Sequence, residues 1–212
     1  MKAAVMESVL GARDDAAVFE RAQSLGFAGV EVELERGDFR TPGRLEILRH
    51  SKERSGLEIP SVALVGHLDG GLADADPHVA QTAAEEVRTA VGWAAELGSD
   101  VILVPFFARG ELTSEAEVER CETAFRSLCP LAAERGVTLC YEGLLPAARV
   151  RLLAERIGSA AFGCYLDLAN PLRRGLDTAT EIRTLGELIR RVHVKDQRVG
   201  SGDCPPGLGL VD

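Results

Sequence analysis

The sequence predicts an α/β fold of the (β/α)8 TIM barrel type, read through its seventh strand. Three observations predict it. Strand-like and helix-like segments alternate from end to end, and several strands are continuous apolar runs, as in a parallel sheet covered by helices. The turn after the first strand, Met6-Glu7-Ser8-Val9-Leu10-Gly11, lacks the GxGxxG of a doubly wound nucleotide-binding sheet. Three of the later strands also end in residues of one chemical kind.

Lys2 to Met6 is the first strand. Asp14 or Asp15 caps the helix that follows, with Ala17, Val18, Ala22 and Leu25 on its apolar face and Gly26 as its stop. Ala28 to Leu34 is the second strand, with Glu31 and Glu33 on one face and Val30, Val32 and Leu34 on the other. Thr41-Pro42 opens the next helix, proline at its first position, and Gly56 ends it. The third strand, Ile59 to Val65, runs into Gly66-His67-Leu68-Asp69. Asp76-Pro77 starts a helix with Val79, Ala83, Val87, Ala90, Val91 and Ala94 at helical spacing, closed by Gly98. Asp100 to Pro105 is the fourth strand. Ser114 and Glu117 form a capping box for a helix burying Val118, Cys121, Phe125, Leu128 and Ala132 and ending at Gly136. The remaining units are a strand at Val137 to Tyr141, a helix at 147–157, a strand at Phe162 to Leu166, a helix at 178–188 and a buried strand at Ile189 to Val194. Gly200 to Asp212 is expected to be a loop.

The count is one unit short of a closed barrel, which typically needs about 250 residues. A fragment, a naturally open barrel and a barrel closed by another chain all fit. The expectation adopted is one domain over residues 1–212, truncated before its eighth βα unit. Open edges on strands one and seven then favour a homo-oligomer.

Composition narrows the class. The formal net charge of -9 disfavours nucleic acid as a partner. No stretch approaches the roughly 18 consecutive apolar residues of a membrane helix. The N-terminus reads as a strand and not as a signal peptide. Five cysteines, an odd count with no CxxC, argue against a disulfide framework or structural zinc and point to a reducing cytoplasm. Cys140 and Cys164 read as small hydrophobes, and Cys204 as a free exposed thiol.

The chemistry gathers at three strand ends. Val137–Tyr141 runs into Glu142, Phe162–Leu166 runs into Asp167, and the seventh strand delivers His193, Lys195 and Asp196 together. Side by side in a parallel sheet, Glu142, Asp167 and His193 reach the edge where barrel active sites lie. A single carboxylate there is more often a helix cap or salt-bridge partner, and a single histidine a hydrogen-bonded bystander. Three on consecutive strands make a metal site the stronger reading. Two carboxylates and an imidazole suit Mn²⁺, Co²⁺, Fe²⁺, Mg²⁺ or Zn²⁺, and the oxygen-rich set favours harder ions, Mn²⁺ first. Phe106 and Phe107, after the fourth strand, fit either a sugar-stacking face or the core.

The segments YEGL, YLDLAN and HVKD, and the glycines of Pro206-Gly207-Leu208-Gly209, resemble the xylose isomerase-like barrel superfamily. GFAGVEVE and AAELGSDVILVP are similar to it as well. That superfamily includes sugar epimerases, hydroxypyruvate isomerase, inosose dehydratase and the endonuclease IV repair enzymes. The resemblance implies a metal-dependent isomerase or epimerase of a small sugar, polyol or hydroxy-keto acid, moving a proton through a metal-stabilised enediolate. It implies that Glu142 is both metal ligand and acid/base, with Asp167 and His193 as further ligands. It turns His67, Asn170, Lys195 and Asp196 toward substrate. The superfamily's fourth ligand, a glutamate on strand eight, has no counterpart before Asp212, and Asn170 stands where many members carry histidine. An asparagine hydrogen-bonds a hydroxyl but relays no proton. The alternatives are a related lyase acting on a cyclic polyol, a non-catalytic binding module, and a DNA repair enzyme. His50 and His78 fall on helices, leaving too few histidines for the last.

Overall fold

Seven strands lie in chain order in one sheet of the computed structural model, which describes residues 2–12, 14–198 and 202–211. They are β1 (Ala4–Met6), β2 (Gly29–Glu33), β3 (Val62–Ala63), β4 (Val101–Phe106), β5 (Thr138–Gly143), β6 (Phe162–Asp167) and β7 (Ile189–His193). Every neighbouring pair is parallel. Helices α1 (Asp15–Ser24), α2 (Arg44–Ser55), α3 (Pro77–Leu97), α4 (Glu115–Glu134) and α5 (Ala147–Ile157) form the first five crossovers, and α6 (Asn170–Arg173) with α7 (Thr178–Leu185) forms the sixth. Sequential parallel strands joined by helices are the winding of a barrel; a doubly wound sheet would reverse its order. The sheet is a half-barrel with β1 and β7 as its edges.

Strand periodicity divides the interior in two. Ile102 and Val104 of β4 join Leu139, Phe162 and the apolar helix faces in the main core. Val101 and Leu103, on the opposite face of β4, join Ala63, Cys140 and Tyr165 in a smaller cluster on the inner side. The helix signals act as expected. Asp14, not Asp15, caps α1 by accepting from the Ala17 N–H at 2.9 Å. Asp76 with Pro77 opens α3, and Ser114 with Glu117 closes a full capping box on α4. Phe106 is core: its ring stacks on Tyr141 at 5.3 Å and meets Phe125 at 5.9 Å.

Four expectations are corrected. Helix α2 begins at Arg44, not at Pro42, because Gly43 takes a left-handed turn at φ 87° before the first helical residue. The third strand shrinks to Val62–Ala63, since Pro60 offers no N–H and the chain coils into a 3₁₀ turn from Val65. The seventh strand is not buried. As an edge strand it leaves Val192 42% and the following Val194 67% exposed.

The tail, expected as a loop, contains β9 (Gly202–Cys204), paired antiparallel with β8 (Asp196–Arg198). Beyond it the chain folds back onto the Asp196 carboxylate. That carboxylate accepts from the N–H groups of Gln197 (2.8 Å), Gly207 (3.0 Å), Gly209 (2.7 Å) and Val211 (3.0 Å). Gly209 lies so close that a Cβ there would run into the carboxylate.

These backbone bonds, Val211's foremost, hold the Asp196 carboxyl below its ordinary value. A depressed carboxyl contributes order above its unfolded pKa and loses it as pH falls through the folded one. Asp196→Ala should therefore speed amide hydrogen exchange at Gly207, Gly209 and Val211 by at least tenfold near neutral pH. In the wild type the same amides should stay protected until the pH drops below the usual carboxylate range.

Candidate functional site

The sheet brings the three predicted strand-end residues together. Asp167 and His193 are directly paired partners of β6 and β7, and Glu142 sits near the end of β5, on the other side of β6. Glu142 is two residues beyond Cys140, and Asp167 two beyond Tyr165, so both continue the inner-face rows of the smaller cluster. One ligand atom from each of Glu142, Asp167 and His193 lies within 4.8 Å of the others. Among the described residues this is the one group of three or more His, Cys, Asp or Glu side chains so placed.

The imidazole of His193 is held at both nitrogens. Nδ1 lies 3.2 Å from Glu142 Oε1, and Nε2 lies 2.7 Å from Glu31 Oε1. Glu31 Oε2 accepts from the Tyr165 hydroxyl at 2.6 Å and from Ser61. The Tyr165 ring packs against the His193 ring, centroids 4.4 Å apart. Asp167 Oδ1 accepts the N–H groups of Ala169 (2.8 Å) and Asn170 (3.2 Å), where α6 begins, and Oδ2 pairs with Lys195 Nζ at 3.1 Å.

Environment pushes these groups apart. Burial lowers the His193 imidazole, but hydrogen bonds to Glu142 and Glu31 and their charges outweigh it, lifting its pKa to about 10. Burial would raise Glu31, yet the hydrogen bond and charge of His193, with the Ser61 and Tyr165 hydroxyls, bring it below the ordinary value. Burial prevails at Glu142, whose carboxyl is raised against the pull of His193.

The other candidates are placed differently. Lys195 touches the site through Asp167 and also reaches Asp203 Oδ2 at 3.6 Å. Asn170 is buried beside Asp167 and lines a cavity of about 30 Å³, its side-chain Oδ1 without a hydrogen-bond partner. His67 is buried in the 3₁₀ turn after β3, with Nε2 3.1 Å from Glu86 of α3 and Nδ1 unpartnered; Glu86 also holds Arg36 at 3.0 Å. Asp196 is 2% exposed and its carboxylate organises the tail, so it offers no free oxygen toward the cluster. The residue the sequence did not single out is Glu31. Its signal is the pair of glutamates, Glu31 and Glu33, on one face of the second strand.

The donor set fits a divalent ion. Two carboxylates and one imidazole nitrogen converge, an oxygen-rich set suited to a hard or borderline divalent ion. Glu142, Asp167 and His193 would hold the ion, with Nδ1 as the histidine donor because it faces Glu142.

The chain is 37% identical over 169 residues to a 2-epi-5-epi-valiolone 7-phosphate 2-epimerase of an Actinoplanes species; the match covers 77% of this chain and 60% of that relative. It is 26% identical over 206 residues to the L-ribulose-5-phosphate 3-epimerase UlaE of Salmonella paratyphi A, covering 90% of this chain and 72% of that enzyme. Among solved structures, a D-psicose 3-epimerase from Clostridium cellulolyticum H10 superposes with a TM-score of 0.82 at 17% identity, over 100% of this chain and 77% of that one. At that identity the likeness speaks for the fold. The sequence pattern of the xylose isomerase-like TIM barrel runs through residues 19–212, and with it the chain belongs to that family.

Proposed function

We propose that this chain is a metal-dependent epimerase acting on a polyhydroxy ketone, free or phosphorylated. The observation that carries the reading is the convergence of Glu142, Asp167 and His193 on three consecutive strand ends, within 4.8 Å. The two curated relatives, named as epimerases of phosphorylated substrates, support the class of reaction. A bound divalent ion would supply Lewis-acid polarisation of the ketone oxygen, with Mn²⁺ the first choice.

The protein's own residues then do the following. Asp167 holds one ligand oxygen, oriented by the N–H groups of Ala169 and Asn170 on its other oxygen. Glu142, buried and raised in pKa, is the proton-transfer group: a carboxyl lifted toward the operating pH can accept the carbon-bound proton and give it up again. Lys195, Asn170 and His67 are the polar groups proposed to meet substrate hydroxyls. Lys195 and Asn170 lie beside Asp167, whereas Asp196 supports the site only through the tail. Among the described residues no helix is long and apolar enough to cross a membrane; a cytoplasmic setting is part of the proposal.

The first test is calorimetric titration of Mn²⁺ into the metal-stripped chain and its Asp167→Asn variant. One saturable site that Asp167→Asn weakens at least tenfold supports the centre; equal binding by both proteins removes Asp167 from it. A histidine charged up to about pH 10 must lose its Nδ1 proton to bind metal. About one proton should therefore leave per ion near pH 7, measured in buffers of different ionisation enthalpy. Apparent affinity should rise with pH across the neutral range.

The second test is activity. Ketose phosphates and free ketoses incubated with protein and Mn²⁺ in D₂O should gain deuterium beside the carbonyl, and Glu142→Gln should abolish this. Exchange retained by the variant would remove Glu142 from proton transfer; loss of water from the product would point to the lyase alternative.

The exposed Val192 and Val194 at the β7 edge support association between copies of the chain. Light scattering should show a mass that grows with concentration, reduced by Val194→Lys. A constant monomer mass over a wide range would count against association.

A further inference from the structure

We infer that Glu31 is a positioning residue for the metal, fixing the His193 ring so that Nε2 carries the proton and Nδ1 faces the ion. The inference rests on the metal reading above and adds to it a residue on β2, far in sequence from the three ligands.

The geometry is specific. Glu31 Oε1 lies 2.7 Å from His193 Nε2, while Nδ1 faces Glu142 at 3.2 Å. An ionised carboxylate only accepts hydrogen bonds, so Nε2 beside it must be the donor. The carboxylate is itself fixed: Oε2 accepts from Tyr165 at 2.6 Å and from Ser61, and Glu31 is 3% exposed. Tyr165 both orients Glu31 and packs on the His193 ring. Residues of β2, β6 and the segment entering β3 are thus linked around the one imidazole that β7 carries. A ligating histidine whose other nitrogen donates to a carboxylate gains a fixed orientation and a more basic donor atom.

Glutamine at position 31 would be nearly isosteric but opposite in effect. Its carbonyl would stay with the two hydroxyl donors, which turns its NH₂ toward Nε2. Nε2 must then accept, the ring proton moves to Nδ1, and the metal position is blocked.

The test uses Zn²⁺, a diamagnetic probe for the same ligands. Two-dimensional ¹H–¹⁵N spectra of the Zn²⁺-loaded wild type should show His193 protonated at Nε2 and metallated at Nδ1. Calorimetry should find Zn²⁺ bound about 10–100-fold more weakly by Glu31→Gln, with the fold intact by circular dichroism. In that metal-free variant the neutral ring should carry its proton on Nδ1. Metal on Nε2 in the wild type, or affinity within twofold between the two proteins, overturns the inference while leaving the metal site standing. If Glu31→Gln fails to fold, the wild-type spectrum alone decides. A wild type that binds neither Zn²⁺ nor Mn²⁺ takes down the metal reading and this inference with it.

Discussion

Three carboxylates buried on the inner face of one sheet set the terms for this structure. Glu31, Glu142 and Asp167 are 3%, 7% and 4% exposed. An isolated charge in such a place carries an effective penalty of several kcal/mol, so each needs donors or a counter-charge within reach. Both cations that meet them come from one short segment. His193 stands between Glu31 and Glu142, and Lys195, two residues on, pairs with Asp167. The hydroxyls of Ser61 and Tyr165 and the first N–H groups of α6 complete the set. An edge strand that leaves Val192 and Val194 in water is thereby tied to the inside of the sheet by its polar residues. At its N-terminal end Ile189 still packs on the main core, while toward its C-terminal end β7 is anchored by charge.

That arrangement follows from strand parity. On β4, Ile102 and Val104 feed the main core while Val101 and Leu103 face inward. On β5 and β6 the inward rows are Cys140 then Glu142, and Tyr165 then Asp167. Each row is apolar or hydroxylic below and anionic at the C-terminal end. The ladder pairs Asp167 with His193 directly, so a register slip of one residue would turn one of the two away from the inner face. The apolar fit of the opposite face, where Phe125 meets Phe162 at 4.9 Å and Phe106 stacks on Tyr141, therefore sets the positions of the site residues.

The same parity explains what the sequence could and could not reveal. Glu142, Asp167 and His193 were legible because each ends an apolar run, and a polar residue at a strand end announces itself. Glu31 was visible as one of two glutamates on one face of β2, but its meaning depended on Tyr165 and His193, more than 130 residues away. Asp196 was adjacent to a ligand strand and read as a substrate contact. Its role came from Gly207, Gly209 and Val211 folding back onto it, a closure that no local pattern encodes. The short third strand and the late start of α2 turned on Pro60 and Gly43, single residues whose backbone limits overrode the hydrophobic pattern around them.

One imidazole between two carboxylates need not treat them alike, and here it does not. Glu31 has three partners able to donate, His193, Ser61 and Tyr165, and is held below its ordinary pKa, so it stays an anion and an acceptor. Glu142 shares the same histidine but has no hydroxyl donors, faces the negative charges of Asp167 and Glu31, and is raised by burial. Two buried glutamates are thus driven in opposite directions without any difference in residue type. On the proposed reading, the glutamate held below its ordinary value is suited to fix the ring, and the one raised by burial to transfer a proton. What sets the two glutamates apart is Ser61 and Tyr165, whose hydroxyls both donate to Glu31.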